Sequence, residues 1–184
     1  DRAPEWVAAG TPEPLRSELI SLLGEDRVLA RATDIVRYAS DASPYRKLPQ
    51  VVVMARDAGD VAKVMRYGRE QGIGVTFRSA GTSLNGQSQT DGIMVDVRRH
   101  FAGVEVLDER GLRVRTGPGT VLGSANRVLA PYGRRLGPDP ASIGAAKIGG
   151  IAANNASGMC CGTAQNSYRT LAGLRVMLAD GALL

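Results

Sequence analysis

Leu15, Leu19, Leu22 and Leu23 recur at helical spacing between Thr11-Pro12-Glu13 and Gly24, which predicts a helix opened near Thr11 and closed at Gly24. Tyr38 to Pro49, "YASDASPYRKLP", is rich in turn formers and breaks the pattern. Val51 to Met54 is then a continuous apolar run, the kind buried on both faces of a parallel sheet. Asp57 caps a predicted helix with Ala58, Val61, Ala62 and Met65 on one side and Gly72 at its end. Val75 to Phe77 resumes a strand, so the segment reads as a βαβ unit with parallel strands. Ile93 to Val97 is a third strand.

The second half changes character. Val104–Val106 and Leu112–Thr116 flank the polar turn "DERG" and predict an antiparallel hairpin. Val121, Leu122, Ala125, Val128 and Leu129 predict a helix ended by Pro131 and Gly133. Leu174, Val176 and Leu178 alternate with polar or softer positions and predict a half-buried strand turned at Asp180–Gly181. The expected class is α+β with two lobes, a βαβ lobe and a lobe of antiparallel strands with flanking helices. Residues 1–36 read as an N-terminal helical segment and 37–184 as the main domain. Because the last hairpin has few residues for its second strand, the chain is expected to be part of something longer.

Composition narrows the function. With 184 residues and 43% hydrophobic content the chain can build a core, but only 4% aromatic residues means an aliphatic one. The net charge of +5 comes from scattered Lys and Arg without aromatic interleaving, which argues against nucleic acid and suits a small anionic ligand. Two adjacent cysteines, Cys160 and Cys161, give neither a disulfide framework nor a zinc set; they read as small buried residues in a reducing, cytoplasmic setting. No stretch of membrane-spanning length is visible.

The glycines cluster at 81–92, 117–123 and 144–158. In "RSAGTSLNGQS", Arg78 to Ser88, Gly81 and Gly86 permit positive φ, so successive N–H groups can converge on an anion. Thr82, Ser83 and Ser88 add hydroxyls, and Gln87 an amide; Arg78 either adds charge or pins the loop. A plain surface turn remains the alternative. No Gly-Lys-Ser/Thr exists for a Walker loop, and "GPGTVLG", Gly117 to Gly123, has its third glycine one place late for a dinucleotide fingerprint. The second loop, Gly137 to Gly158, combines a stiff Pro138-Asp139-Pro140 entry with small residues that let a flat ring approach backbone. A tightly packed internal loop without a ligand fits the same residues.

Together "YASDASPYRKLPQVVV", "FRSAGTSLNGQSQTDGIMVDV", "LGPDPAS" and "KIGGIAANNASGMCCGTAQNSYRTL" resemble the FAD-binding (PCMH-type) domain of the vanillyl-alcohol oxidase superfamily. The branch is that of D-lactate dehydrogenase, glycolate oxidase and D-2-hydroxyglutarate dehydrogenase, and the resemblance covers Tyr38 to Leu184. It implies FAD as cofactor and a D-2-hydroxy acid as substrate of the whole enzyme, with hydride transfer to the flavin. Arg78, Ser79, Ala80, Gly81, Thr82, Ser83 and Leu84, with Gly86, Gln87 and Ser88, would hold the pyrophosphate. Pro138, Asp139 and Ser142 would line the flavin side; Ile148, Gly149, Gly150, Asn154, Ser157 and Gly158 would pass the ring and ribityl chain.

Members that attach flavin covalently carry histidine where this chain has Thr82, so the resemblance implies non-covalent FAD; the sole histidine, His100, reads as a surface or packing residue and not a catalytic base. It assigns the acid–base and substrate-carboxylate groups to a further domain, and no catalytic or metal-binding residue to these 184. An electron acceptor, and an iron–sulfur domain in the full-length protein, are the implied partners, with peripheral membrane association one possible setting. The chain alone is expected to purify largely without flavin, to associate through its open strand edge, and to oxidise no hydroxy acid.

Overall fold

A computed structural model describes residues 4–184. The backbone forms two compact units. One runs to Val97 and takes in Arg175–Leu184; the other is Arg98–Leu174.

In the first unit short helices α1 (Trp6–Ala9) and α2 (Leu15–Leu23) lead to β1 (Val28–Leu29) and α3 (Ala32–Tyr38). Then come β2 (Val51–Met54), α4 (Ala58–Gln71), β3 (Val75–Arg78) and β4 (Ile93–Asp96). The sheet order is β1-β2-β4-β3, antiparallel at β1–β2 and parallel elsewhere. β4, last in sequence, is inserted between β2 and β3, so the two strands of the predicted βαβ unit are parallel without touching. Val51, Val52, Val53, Ile93, Met94 and Val95 are all at 0% exposure, as unbroken apolar runs require at the centre of such a sheet. Each such side chain removed from water contributes about 1.5–3 kcal/mol. Tyr38, Val52 and Met94 form a cluster on the sheet, with Leu29 packed against it.

Helix α4 forms as its sequence predicts. The Asp57 carboxylate accepts the Asp60 N–H, and Gly72 closes the end in the left-handed conformation. Val61, Ala62 and Val64 are buried, while Met65 is only partly so. The helix lies close to β3 because Gly68 has no side chain; a Cβ there would fall 2.5 Å from Val75 Cγ2.

Three expectations need correction here. The helix predicted from Thr11 begins at Leu15, because the Thr11 hydroxyl instead donates to the Gln50 carbonyl at 2.8 Å and ties the entry segment to the start of β2. Residues 28–29, unassigned in the sequence, pair with β2. Leu174, Val176 and Leu178 turn back at Gly181 as expected, with Val176 N–H to Leu184 O at 3.0 Å. Their side chains are exposed, however, and Met177 on the opposite face is the partly covered one.

In the second unit β5 (Val104–Val106) and β6 (Val114–Thr116) form the predicted antiparallel hairpin, with Asp108 accepting N–H groups of Arg110, Leu112 and Arg113 in its turn. Helix α5 (Leu122–Leu129) buries Leu122, Ala125 and Leu129; Val128, expected on that face, is exposed. Two helices interrupt what reads as loop, α6 (Ile148–Ala153) and α7 (Ser167–Thr170). Leu122, Ala146 and Ile151 form the core, with Leu136, Ile143, Ile148 and Ala156 packed on it. Ser167, buried between these helices, donates to the carbonyls of Ile151 and Ala156.

Candidate functional site

The loop that leaves β3 lies at the carboxyl end of the parallel strands, the end where open α/β sheets bind ligands. Gly81 has φ +70° and Gly86 φ +73°, as the sequence requires. Among the described residues, no protein acceptor meets the backbone N–H groups of Ala80, Gly81, Thr82 and Ser83. Four consecutive donors without partners therefore lie on a partly buried turn.

Two charged residues fix this turn from behind. Arg78 is buried, and its guanidinium donates to the carbonyls of Ser40 at 2.6 Å and Tyr38 at 3.3 Å, with Ser88 O at 3.5 Å. It also stacks on the Tyr38 ring. Of the two roles open to Arg78, pinning is the one these contacts describe. Asp41 is the second anchor. One carboxylate oxygen accepts Ser43 N–H at 2.9 Å, Ser43 Oγ at 2.5 Å and Gln89 Nε2 at 2.7 Å; the other accepts Ser88 Oγ at 2.9 Å. Ala42 N–H reaches Gly81 O at 3.0 Å. Partial burial alone raises the Asp41 pKa, but the hydrogen bonds from Ser43, Gln89 and Ser88 outweigh it and bring it down to about 2.

That depression fixes the sign of a pH effect. Ionised Asp41 favours the fold above its ordinary value of 3.8, and the contribution disappears as pH falls toward about 2. The Ser43 and Gln89 amide resonances should hold steady from neutral pH to about 4, then shift together below it. A shift already complete at pH 5 is the contrary result.

The side-chain donors expected of the loop divide. Ser83 Oγ donates to Gln87 Oε1 at 2.6 Å, and Ser88 Oγ is committed to Asp41, so both serve the loop itself. Ser79 and Thr82 keep hydroxyls without protein partners among the described residues. Leu84 stands exposed at the tip. Asp41, Ser43 and Gln89 escaped the sequence reading because "SDAS" is ordinary turn composition. The signal was present in polar residues grouped before β2 and again before β4, two strands that pair. Tyr38 and Asp96 escaped it as well; they meet at 2.5 Å, both buried.

The second stretch, 137–158, is more internally engaged than its composition suggests. Asp139 N–H donates to Ser157 O at 2.9 Å, and the Asp139 carboxylate accepts N–H groups from Cys160 at 3.1 Å and Cys161 at 3.2 Å. Desolvation acts upward on Asp139, but the Cys160 and Cys161 hydrogen bonds lower its pKa overall. Two glycines of the stretch sit against protein: a Cβ on Gly149 would lie 2.7 Å from Pro118 Cβ, and one on Gly158 would lie 2.1 Å from Asp139 Oδ1, whereas Gly144 faces open space. Pro138 is buried. Ile148 opens α6 and packs on the unit's core. Asn154 Nδ2 folds back to Gly150 O at 2.9 Å, while its neighbour Asn155, at φ +45°, accepts Tyr168 N–H. Ser142 and Ser157 keep hydroxyls without protein partners among the described residues. Cys160 is exposed and only Cys161 buried, which corrects the expectation for the pair. "GPGTVLG" is structural: Gly117 and Gly119 donate to Gly103 O and Phe101 O, so its N–H groups face no ligand.

Among the described residues no helix is long and apolar enough to cross a membrane. D-2-hydroxyglutarate dehydrogenase of Pseudomonas putida is 40% identical over 123 residues, 65% of this chain and 12% of that protein. The Escherichia coli protein of the same name is 31% identical over 82% of this chain and 15% of its own length. Glycolate oxidase subunit GlcD of Escherichia coli is 28% identical over 98% of this chain and 37% of its own. The chain therefore spans a small part of its dehydrogenase relatives and just over a third of the oxidase subunit. Its fold is that of alkyldihydroxyacetonephosphate synthase (TM-score 0.77, 17% identity, all of this chain and 34% of that one) and of 6-hydroxy-D-nicotine oxidase from Arthrobacter nicotinovorans (TM-score 0.71, 24% identity, 82% and 33%). The sequence model described as FAD binding domain matches residues 49–184, which include β2, the glycine loop and the whole second stretch. The chain belongs to the FAD binding domain family.

Proposed function

We propose that this chain is the FAD-holding part of a flavin-dependent dehydrogenase acting on a D-2-hydroxy acid. The observation that carries the cofactor site is the run of unpartnered N–H groups from Ala80 to Ser83 on a turn fixed by Arg78 and Asp41. A diphosphate needs several short donors and close backbone approach, and this turn offers both. Ala80 to Ser83 bind phosphate oxygens through backbone, and the hydroxyls of Ser79 and Thr82 add two side-chain donors. Gly86, Gln87 and Ser88 hold the turn's shape. For 137–158 the assignment rests on sequence resemblance, with Ser142 and Ser157 the side chains available for polar contact. Bound FAD supplies the capacity to accept a hydride equivalent; the chain's residues supply binding and orientation.

The substrate class follows from the dehydrogenase and glycolate oxidase relatives. GlcD is a subunit, so partner subunits and an electron acceptor belong to the proposal, as does an iron–sulfur domain; a cytoplasmic location fits its unpaired cysteines. With Thr82 where covalent members carry histidine, the flavin is held without a bond to protein. Titrating FAD with the chain should quench flavin fluorescence to saturation. Acid precipitation of the loaded protein should then leave the yellow colour in the supernatant. Absence of quenching counts against the site, and colour retained in the denatured pellet counts against non-covalent binding.

A further inference from the structure

Asp41 anchors the glycine loop without being assigned any contact with ligand. Its four hydrogen bonds come from Ser43, Ser88 and Gln89. Ser88 closes the proposed pyrophosphate loop and Gln89 follows it directly. Three of the four bonds converge on one carboxylate oxygen and the fourth falls on the other. The segment that carries it also meets the loop by backbone, through Ala42 N–H to Gly81 O, on a residue whose own N–H is one of the unpartnered donors. Arg78 joins the same assembly through Ser40 O and Ser88 O, and Arg46 through Ser43 O and Tyr45 O.

We propose that Asp41 is the positioning residue of the anion loop: it fastens Ser88 and Gln89 to the 40–45 segment and so keeps the N–H groups of Ala80 to Ser83 unengaged and available for phosphate. This rests on the FAD reading, which deepens from a list of loop residues to a mechanism that shapes them. Asp41 touches no ligand in this account. Its charge acts through Ser88 and Gln89, where charge-assisted hydrogen bonds are the stronger kind. The ionised state suits the purpose, since a carboxylate only accepts while every group facing it donates.

The test compares the unaltered chain with Asp41→Ala, Asp41→Asn and Ser88→Ala. In ligand-free protein, amide exchange at Ala42 and Gln89 should accelerate at least tenfold in Asp41→Ala, with Met94 in β4 unchanged. Equal acceleration at Met94 would mean that Asp41 supports the whole sheet, and no acceleration that it supports nothing; either overturns the proposal. For FAD, Asp41→Ala should weaken binding at least tenfold. Asp41→Asn, which keeps one accepting oxygen but loses the charge and sets an NH2 among donors, should recover only part of that loss. Ser88→Ala combined with Asp41→Ala should be no weaker than Asp41→Ala alone, because Ser88 acts through the carboxylate. Fully additive losses, or no recovery with asparagine, contradict the route. If the unaltered chain fails to bind FAD, the functional reading falls while the exchange experiment still decides the role of Asp41.

Discussion

Gly81→Val should raise the dissociation constant for FAD roughly a hundredfold, which corresponds to about 2.7 kcal/mol. Two costs combine. At φ +70° an L-residue carries about 1–2 kcal/mol of strain, and a β-branched one is a clear outlier there. The new Cβ would also sit 2.5 Å from Arg78 Nη2, and that guanidinium is buried and held by Ser40 O, so it cannot simply swing aside. The turn must open, which displaces the N–H groups of Ala80 to Ser83. Global unfolding should change less than binding does, because the strands on either side keep their ladder. Affinity within threefold of the unaltered chain would show that the turn holds no phosphate.

Gly158→Ala should be the most disruptive single methyl group in the second unit. The added carbon would fall 2.3 Å from Asp139 O as well as 2.1 Å from Asp139 Oδ1, against backbone that is itself bonded to Ser157. Gly158 also sits at φ +145°, a conformation that only glycine adopts freely. Overpacking against main chain together with the strain should cost about 3 kcal/mol or more. The thermal midpoint should fall by roughly 10 °C for a protein of this size. Circular dichroism during heating measures it, and a midpoint within 2 °C would mean that the Asp139–Gly158 approach is not maintained in solution.

These two glycines mark how much the sequence could say. At Gly81 local composition was enough, because a glycine between small hydroxylic residues after a strand implies a special turn. At Gly158 and Gly149 the sequence implied close approach but not by what; the neighbours are Asp139 and Pro118, both distant in the chain. The unbroken apolar run at Val51–Met54 identified a two-sided strand because burial leaves a direct mark on residue type. Its adjacency to Ile93–Asp96 left none, since periodicity reports faces and not neighbours. The same limit explains Leu174, Val176 and Leu178: alternation revealed two faces without saying which is covered. Asp41 was hidden for another reason. A turn-forming aspartate and a loop-organising one look alike until Ser88 and Gln89, far along the chain, come within reach of it.

The placement of β4 beside β3 has one more consequence. Neighbouring parallel strands are usually joined by a crossover that includes a helix, because the chain must travel back the length of a strand. Here residues 79–92 make that return with no helix at all. Gly92 finishes it so close to Gly74 that a Cβ would lie 2.2 Å from the Gly74 carbonyl oxygen. The proposed binding turn is therefore also the connector of the sheet, with both ends held at fixed points. It cannot be shortened without unzipping two strands, nor swing open as a lid does. Ligand capture then needs little ordering of the protein, so the entropy lost on association comes mainly from the ligand, and deletions in 79–92 should remove folding and binding together.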